Sequence, residues 1–362
     1  MRRSSRRRAR RASPLVSALL VVLFLLVCLF AYSGREEAPA PSAPAADAQL
    51  EVRFLDIGQG DAALLSCGGQ TLLIDGGKVK ENQYLVARLK SLGVQKLDAV
   101  ICSHPDEDHC GGLAAVFAAF PAEAFYCSVD TWHTEVFSDV LSYAGAQECS
   151  PIVPKPGSFF PLGAANVEFL GPVADYGDDP NEGSLVVRVS LGEISFLFTG
   201  DMGFEAEDDL LAAGTDVSAT VLKVGHHGSA GSSSQEFLAA VGAEYGVISV
   251  GAGNDYGHPT EAALNRLAAQ GMRVYRTDQL GEIVCRTDGV ALDFSSEADV
   301  REQTWTKLRT SSSFIGNSSS KVVHTADCAR LPDEENRAYF DTLSDARAAG
   351  YRPHRACTGA QE

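Results

Sequence analysis

Ser103-His104-Pro105-Asp106-Glu107-Asp108-His109-Cys110-Gly111-Gly112 decides how this chain is read. Four potential metal ligands, His104, Asp106, Asp108 and His109, fall within six residues, directly after the apolar run 97–102. Asp106 and Asp108 repel one another, and a divalent cation between them turns that repulsion into attraction. Further ligand types end apolar runs downstream: Asp201 after 196–200, His226 and His227 after 220–224, and His258 after 245–250. An aspartate so placed can bridge two cations with its two oxygens. A lone histidine is ordinarily a core residue satisfied by hydrogen bonds, the plainer reading of His258 alone; the set together reads as a metal site.

Outward from that stretch, short apolar runs alternate with turns. Strands are expected at 50–57, 62–66, 70–74, 97–102, 167–170, 184–191, 193–198, 220–224, 245–250, 273–276 and 282–286. Helices are expected at 82–92, where Leu85, Leu89 and Leu92 have helical spacing, and at 113–120 and 261–269. Strand, ligand-bearing loop and helix recur, an α/β layout with polar groups at strand ends, where open sheets place their sites.

Before this body, seven arginines precede Pro14, and residues 15–32 form an uncharged, almost wholly apolar run of 18. That is just long enough to cross a bilayer as one helix. Residues 1–14 should then stay cytoplasmic and the rest be exported. A retained transmembrane anchor is the expectation; a cleaved signal peptide ending at Ala31-Tyr32-Ser33, and a secreted product, is the alternative. Residues 33–48, rich in Pro and Ala, read as a stalk. The body spans 49–294, a polar linker 295–313, and a separate small module 314–358.

Net charge is −17, and without the seven N-terminal arginines it is −24. Such a surface repels nucleic acid at long range, which counts against avid non-specific DNA binding but does not exclude cleavage at a local site. Of nine cysteines, Cys102 falls in an expected core strand, where a thiol is inert. Export permits disulfides, and Cys127 with Cys149 is the pair to test first.

The pattern His104-x-Asp106-x-Asp108-His109, with Thr199-Gly200-Asp201 and the later histidines in order, resembles the signature of the metallo-β-lactamase fold. More narrowly, six motifs over residues 49–294 are similar to the hydrolase domain of the ComEC family of DNA-uptake competence proteins. They are Phe54-Leu55-Asp56-Ile57-Gly58-Gln59-Gly60-Asp61-Ala62, Leu73-Ile74-Asp75-Gly76-Gly77, Ser103-His104-Pro105-Asp106, Asn181-x-x-Ser184, Leu222-Lys223-Val224-Gly225-His226-His227-Gly228-Ser229 and Tyr256-Gly257-His258-Pro259. The resemblance implies a four-layer αβ/βα sandwich with a two-metal site at one edge, and hydrolysis of phosphodiester bonds in DNA by metal-activated water. It implies that His104 and Asp106 hold one metal and Asp108 and His109 the other. Asp201 would bridge them and His258 complete the second site. His226 or His227 would ligate metal or stabilise the leaving group, Asp108 could orient the attacking water, and Asp61 and Asp75 would steady the ligands from behind.

Two departures matter. Asp106 stands where the commoner pattern has a second histidine, and Asn181 and Ser184 where many relatives keep another. The site is richer in oxygen, so Zn²⁺ or Mn²⁺ is expected, with one position labile. Moreover, ComEC proteins carry many membrane spans, whereas this chain offers one candidate; a free-standing surface hydrolase is expected rather than a DNA importer.

In the C-terminal module, His324-x-x-x-Cys328 and His354-x-x-Cys357 can close one tetrahedral structural zinc site, the alternative being a Cys328–Cys357 disulfide. The spacing, with Tyr339-Phe340 and 349–353, resembles the zinc-binding domain of the Ada DNA-repair methyltransferase. There all four ligands are cysteine; His324 at the first position speaks against methyl transfer. Lys321, Arg330, Arg337, Arg347, Arg352 and Arg355 give the module a basic character suited to DNA. The expected function is an exported, membrane-tethered phosphodiesterase or nuclease. The alternatives are a hydrolase of an envelope phosphoester or small ester or lactone, and a non-catalytic surface DNA-binding protein.

Overall fold

Alternation along Leu50-Glu51-Val52-Arg53-Phe54 puts Leu50, Val52 and Phe54 on one buried face. The computed structural model describes residues 49–299, 314–325, 328, 331–332, 336–340 and 342–354. In it this segment is strand β1, Leu50–Phe54, followed by the antiparallel β2, Ala63–Cys67, and β3, Gln70–Ile74. Three strands then add in parallel: β4, Ala99–Cys102; β5, Phe125–Cys127; and β6, Pro151–Ile152. The helices Asn82–Ser91, Leu113–Ala119 and Glu135–Gly145 fall between them.

The chain then builds a second sheet. An antiparallel meander, β7 (Phe159–Leu162), β8 (Ala165–Gly171), β9 (Val186–Leu191) and β10 (Ile194–Phe198), continues into parallel β11 (Val221–Lys223), β12 (Tyr245–Ile248) and β13 (Arg273–Arg276). It returns to the first sheet with β14 (Ile283–Thr287) and β15 (Leu292–Ser296). The orders are β15-β14-β1-β2-β3-β4-β5-β6 and β13-β12-β11-β10-β9-β8-β7.

One apolar cluster, including Val52, Phe54, Leu65, Ile101, Val187 and Phe196, lies between the sheets. A second joins the first sheet to its three helices. A third joins the second sheet to the helices Phe204–Ala212, Gln235–Val241 and Glu261–Ala269. The result is a helix–sheet–sheet–helix sandwich, with Phe54 stacked on Phe198 across the middle, ring centroids 5.8 Å apart. The ends of β4, β10, β11 and β12 deliver Ser103, Thr199, Val224 and Ser249 to one edge.

β1 stops at Phe54, short of the expected 57, because the Leu55 amide donates to the Ala62 carbonyl and Asp56 accepts from Gly58 N, turning the chain. β15 runs to Ser296, two residues into the segment read as linker. The Cys127–Cys149 disulfide is not formed: both thiols are buried and unpaired, and β5 places Cys127 opposite Cys102.

In the C-terminal module, β16 (Phe314–Asn317), β17 (Val322–Thr325), β18 (Arg337–Phe340) and β19 (Arg352–Pro353) order as β18-β16-β17-β19. Val323, Ala346 and Tyr351 form its core. Among the described residues no helix is long and apolar enough to cross a membrane. The expected anchor 15–32 lies outside the described residues.

Candidate metal centre

β4 ends at Cys102, so the next residues leave the sheet edge, and the short helix Glu107–Cys110 starts immediately after Asp106. Two glycine-bearing turns clamp this helix. Asp61 N donates to the Asp108 carbonyl at 3.0 Å, and Gly76 N to the His109 carbonyl at 2.7 Å. The first approach needs glycine at 60: φ is +144°, and a Cβ there would stand 2.4 Å from the Asp108 carbonyl oxygen.

Asp201, at the end of β10, is the centre of the cluster. Its Oδ1 lies 3.1 Å from His109 Nε2; its Oδ2 lies 3.5 Å from both His226 Nε2 and His227 Nε2. His227 Nε2 is also 3.6 Å from Asp108 Oδ2, and His104 Nε2 is 3.9 Å from Asp106 Oδ2. The rings of His104 and His109 are 4.1 Å apart. His258 joins at the rim, 5.7 Å from the His226 ring and 6.5 Å from that of His227.

Each fully buried imidazole is fixed through Nδ1. His109 Nδ1 donates to Asp75 Oδ2 at 2.9 Å, and Asp75 also accepts from Ser103 N and Ser103 Oγ. His227 Nδ1 donates to the Ser249 carbonyl at 2.9 Å and faces Asp61 Oδ1 at 3.2 Å. His104 Nδ1 lies 3.1 Å from Ser103 Oγ and 3.3 Å from Ser184 Oγ, which also accepts from Asp201 N. The Nε2 atoms of all three face the cluster and make no hydrogen bond. An imidazole held at one nitrogen with the other buried and unsatisfied is what a metal ligand requires.

The electrostatics agree. Burial alone would raise the Asp201 carboxyl, yet the imidazoles of His109 and His227 hold it well below the usual range. Burial would lower His227, yet Asp201 and Asp61 raise it to about 9. Burial, then His109, drives His104 down to about 3. Burial and Asp108 raise Asp106. Asp108 itself, which burial would raise, is brought to about 2 by His227 and His109. Without a cation, the cluster recruits protons onto His109 and His227.

His226 and His227 have φ of +47° and +52° in the turn Gly225–Gly228. Non-glycine residues there carry strain of order 1–3 kcal/mol each, held by the surrounding bonds. His226 N donates to the Gly200 carbonyl and Thr260 N to that of Gly228.

Asp61 and Asp75 touch imidazoles rather than the centre of the cluster. Asp61 Oδ2 is bonded to Lys223 Nζ at 2.7 Å, so the carboxylate steadies His227 from behind, although it falls within ligand distance of the group. Lys223, 3% exposed, was not singled out from sequence; a lysine between Leu222 and Val224 inside an apolar run was the available signal. Asn181 is not brought to the cluster by any described contact; its backbone amide donates to Asp179, and its buried Oδ1 makes no hydrogen bond.

In the C-terminal module, His324 Nδ1 and His354 Nδ1 lie 3.4 and 3.7 Å from Cys328 Sγ, their rings 4.4 Å apart. These three donors stand within metal-binding distance of one another, and burial, then His354, lowers the pKa of His324. Cys357 lies outside the described residues.

Residues 55–252 match the model of the metallo-beta-lactamase superfamily. The chain belongs to the metallo-β-lactamase superfamily. Residues 307–359 match the metal binding domain of Ada, a match that begins inside the expected linker. The chain is 36% identical over 237 residues to the competence protein ComA of Neisseria gonorrhoeae, covering 65% of this chain and 32% of that protein. It is 30% identical over 261 residues to the ComE operon protein 3 of Bacillus subtilis strain 168, covering 67% and 34%. This chain thus spans about a third of the length of these relatives. Among solved structures, the metallo-beta-lactamase fold protein YhfI of Bacillus subtilis aligns at a TM-score of 0.46 and 15% identity, over 67% of this chain and 100% of that one.

Within this metallo-β-lactamase body His104 stands beside Asp106 as expected, whereas Asp108 and His109 part from one another. His109 faces Asp201 Oδ1 with the His104 ring beside it, whereas His226 and His227 face Oδ2 and Asp108 faces His227. The reason lies in the helix Glu107–Cys110, which turns His109 inward and leaves Asp108 toward the 225–228 turn.

Proposed function

We propose that this chain is an exported, membrane-tethered, metal-dependent hydrolase that cleaves phosphodiester bonds, with DNA as substrate. The observation that carries the reading is Asp201, whose Oδ1 faces His109 Nε2 and whose Oδ2 faces His227 Nε2, two buried imidazoles whose Nε2 atoms make no hydrogen bond. His104, His109 and Asp106 would hold one divalent ion, Zn²⁺ or Mn²⁺, and His227, Asp108 and His258 the other, with Asp201 between them. Bound ions would supply an activated water and neutralise charge growing on the phosphoryl oxygens. Asp108, ionised at neutral pH, accepts a hydrogen bond from the attacking water and keeps it in line. His226, with 31% of its side chain exposed, stands on the open side, where a leaving oxygen departs. Asp75 and Asp61 hold the imidazoles in the tautomer that turns a lone pair inward. The resemblance of this chain's motifs to DNA-uptake competence proteins supports DNA as the substrate class, and one relative is named a competence protein. The C-terminal module would bind one Zn²⁺ through His324, Cys328, His354 and Cys357 and present its basic residues to DNA.

One observation favours a second reading: a body of charge −21 suits a small envelope phosphoester or ester better than a long polyanion. The full chain should be incubated with single-stranded DNA, double-stranded DNA and bis-p-nitrophenyl phosphate in Mn²⁺ or Zn²⁺, beside Asp108→Ala and Asp201→Asn. Cleavage of DNA lost in both variants supports the proposal. Turnover of the small ester alone supports the second reading, and no turnover with any metal refutes both.

A further inference from the structure

On the rim of the metal centre, Tyr256 is 60% exposed and stacks on His258, ring centroids 5.8 Å apart at 23°. Its loop is stiff. Asn254 Oδ1 accepts from the amides of Tyr256 and His258, and Asn254 Nδ2 donates to the carbonyls of His258 and Gly251. From the other sheet comes Lys78, three residues after the Asp75 that anchors His109. Its Nζ is 3.5 Å from Tyr256 Oη and 5.3 Å from the ring centre, so it sits at the hydroxyl end and leaves the ring face open. The backbone at Gly257 is likewise open, a Cβ there meeting nothing within 4 Å beyond its two neighbours.

The geometry points to a nucleobase subsite: Tyr256 stacks an unpaired base of single-stranded DNA while Lys78 binds the adjoining phosphate. This rests on the phosphodiesterase reading and gives it a substrate form. An aromatic face accepts any base, and an ammonium beside it binds the backbone without reading sequence. The position, one ring stack from His258, places the neighbouring phosphate over the metal centre. A duplex, with its bases paired and stacked, cannot use the face. In a body this acidic, a rim lysine supplies local attraction that the surface as a whole withholds.

The test is fluorescence anisotropy of the full chain in EDTA, which stops cleavage, with labelled dT₁₂ and an abasic 12-mer. The wild type should prefer dT₁₂. Tyr256→Ala should bind dT₁₂ roughly fivefold or more weakly and lose the preference, with its melting point kept because the side chain is exposed. Tyr256→Phe should retain the preference. Lys78→Ala should flatten the log–log salt slope by about 0.7, one phosphate contact. Equal binding of dT₁₂ and abasic DNA by the wild type, or wild-type affinity in Tyr256→Ala, overturns the subsite. A chain that shows the Tyr256-dependent preference yet cleaves nothing with added metal keeps the subsite and sinks the hydrolase; the converse sinks the subsite alone.

Discussion

Replacing Lys223 with methionine removes one charge from a buried pair while keeping an unbranched stem of similar volume. Its ammonium lies 2.7 Å from Asp61 Oδ2 and donates to the Val224 carbonyl at 2.9 Å, with 3% of the residue exposed. The variant leaves the Asp61 carboxylate buried, with His227 as its nearest remaining partner. Stripping one partner from such a pair costs about 3–5 kcal/mol. At about 2–4 °C per kcal/mol for a domain of this size, the melting point should fall by roughly 6–20 °C. Calorimetry of the metal-free full chain measures it. The pH sign is fixed by Asp61: burial would raise its carboxyl, but Lys223 and His227 hold it well below the usual range. A depressed carboxyl contributes stability above its unfolded value of about 3.9, lost only as pH falls through the folded value. The decrement should therefore be the same at pH 6 and pH 8. Adding Asp61→Asn should cost less than the sum of the two single changes. A melting point within about 2 °C of wild type, or strict additivity, would refute a coupled buried pair.

Three further outcomes are expected. In the metal-free chain His227 titrates at about 9, so its contribution is complete below about 6.5 and lost as pH rises to 9; the melting point should decline across that window and hold steady once metal replaces the proton. A flat metal-free profile contradicts the cluster. Gly60→Ala should cost more than about 1 kcal/mol and lower metal content by elemental analysis, because the new Cβ drives the Asp108 carbonyl away; wild-type melting and metal content would disprove the clamp. Cys67, Cys102, Cys110, Cys127, Cys149 and Cys285 are buried, and burial pushes the thiols of Cys102 and Cys110 well up. None of the six should react with a disulfide reagent before denaturant is added, and early reaction of any would show an open core.

Much of this was legible because local signals and tertiary structure agree. The helix Glu261–Ala269 and strand β13 have the expected bounds, since Thr260 caps the helix on Ala263 N and Gly271 separates the two. β7 escaped notice because Pro161 reads as a breaker, yet β7 is an edge strand, where a missing amide costs no ladder bond. The helices Glu135–Gly145 and Gln235–Val241 were missed despite caps at Thr134 and Ser234, because their flanks look like loop. In the site, ligand types stood out at strand ends, but their grouping did not. Whether Asp108 faces His109 or His227 depends on how a four-residue helix is clamped by turns distant in sequence. Lys223 was hidden for the same reason: its partner Asp61 leaves no trace in the periodicity around it.

The placement of Asp201 has a mechanical consequence. It hangs from β10 in one sheet, while His109 follows β4 in the other, so any ion seated between them is a rivet through both halves of the molecule. An ion held there would tie the two sheets at this edge, and a chelator would remove that tie while leaving the Phe54–Phe198 stack between them. The rigidity of the opening would therefore follow metal supply, and a chain starved of ions would loosen first at this edge.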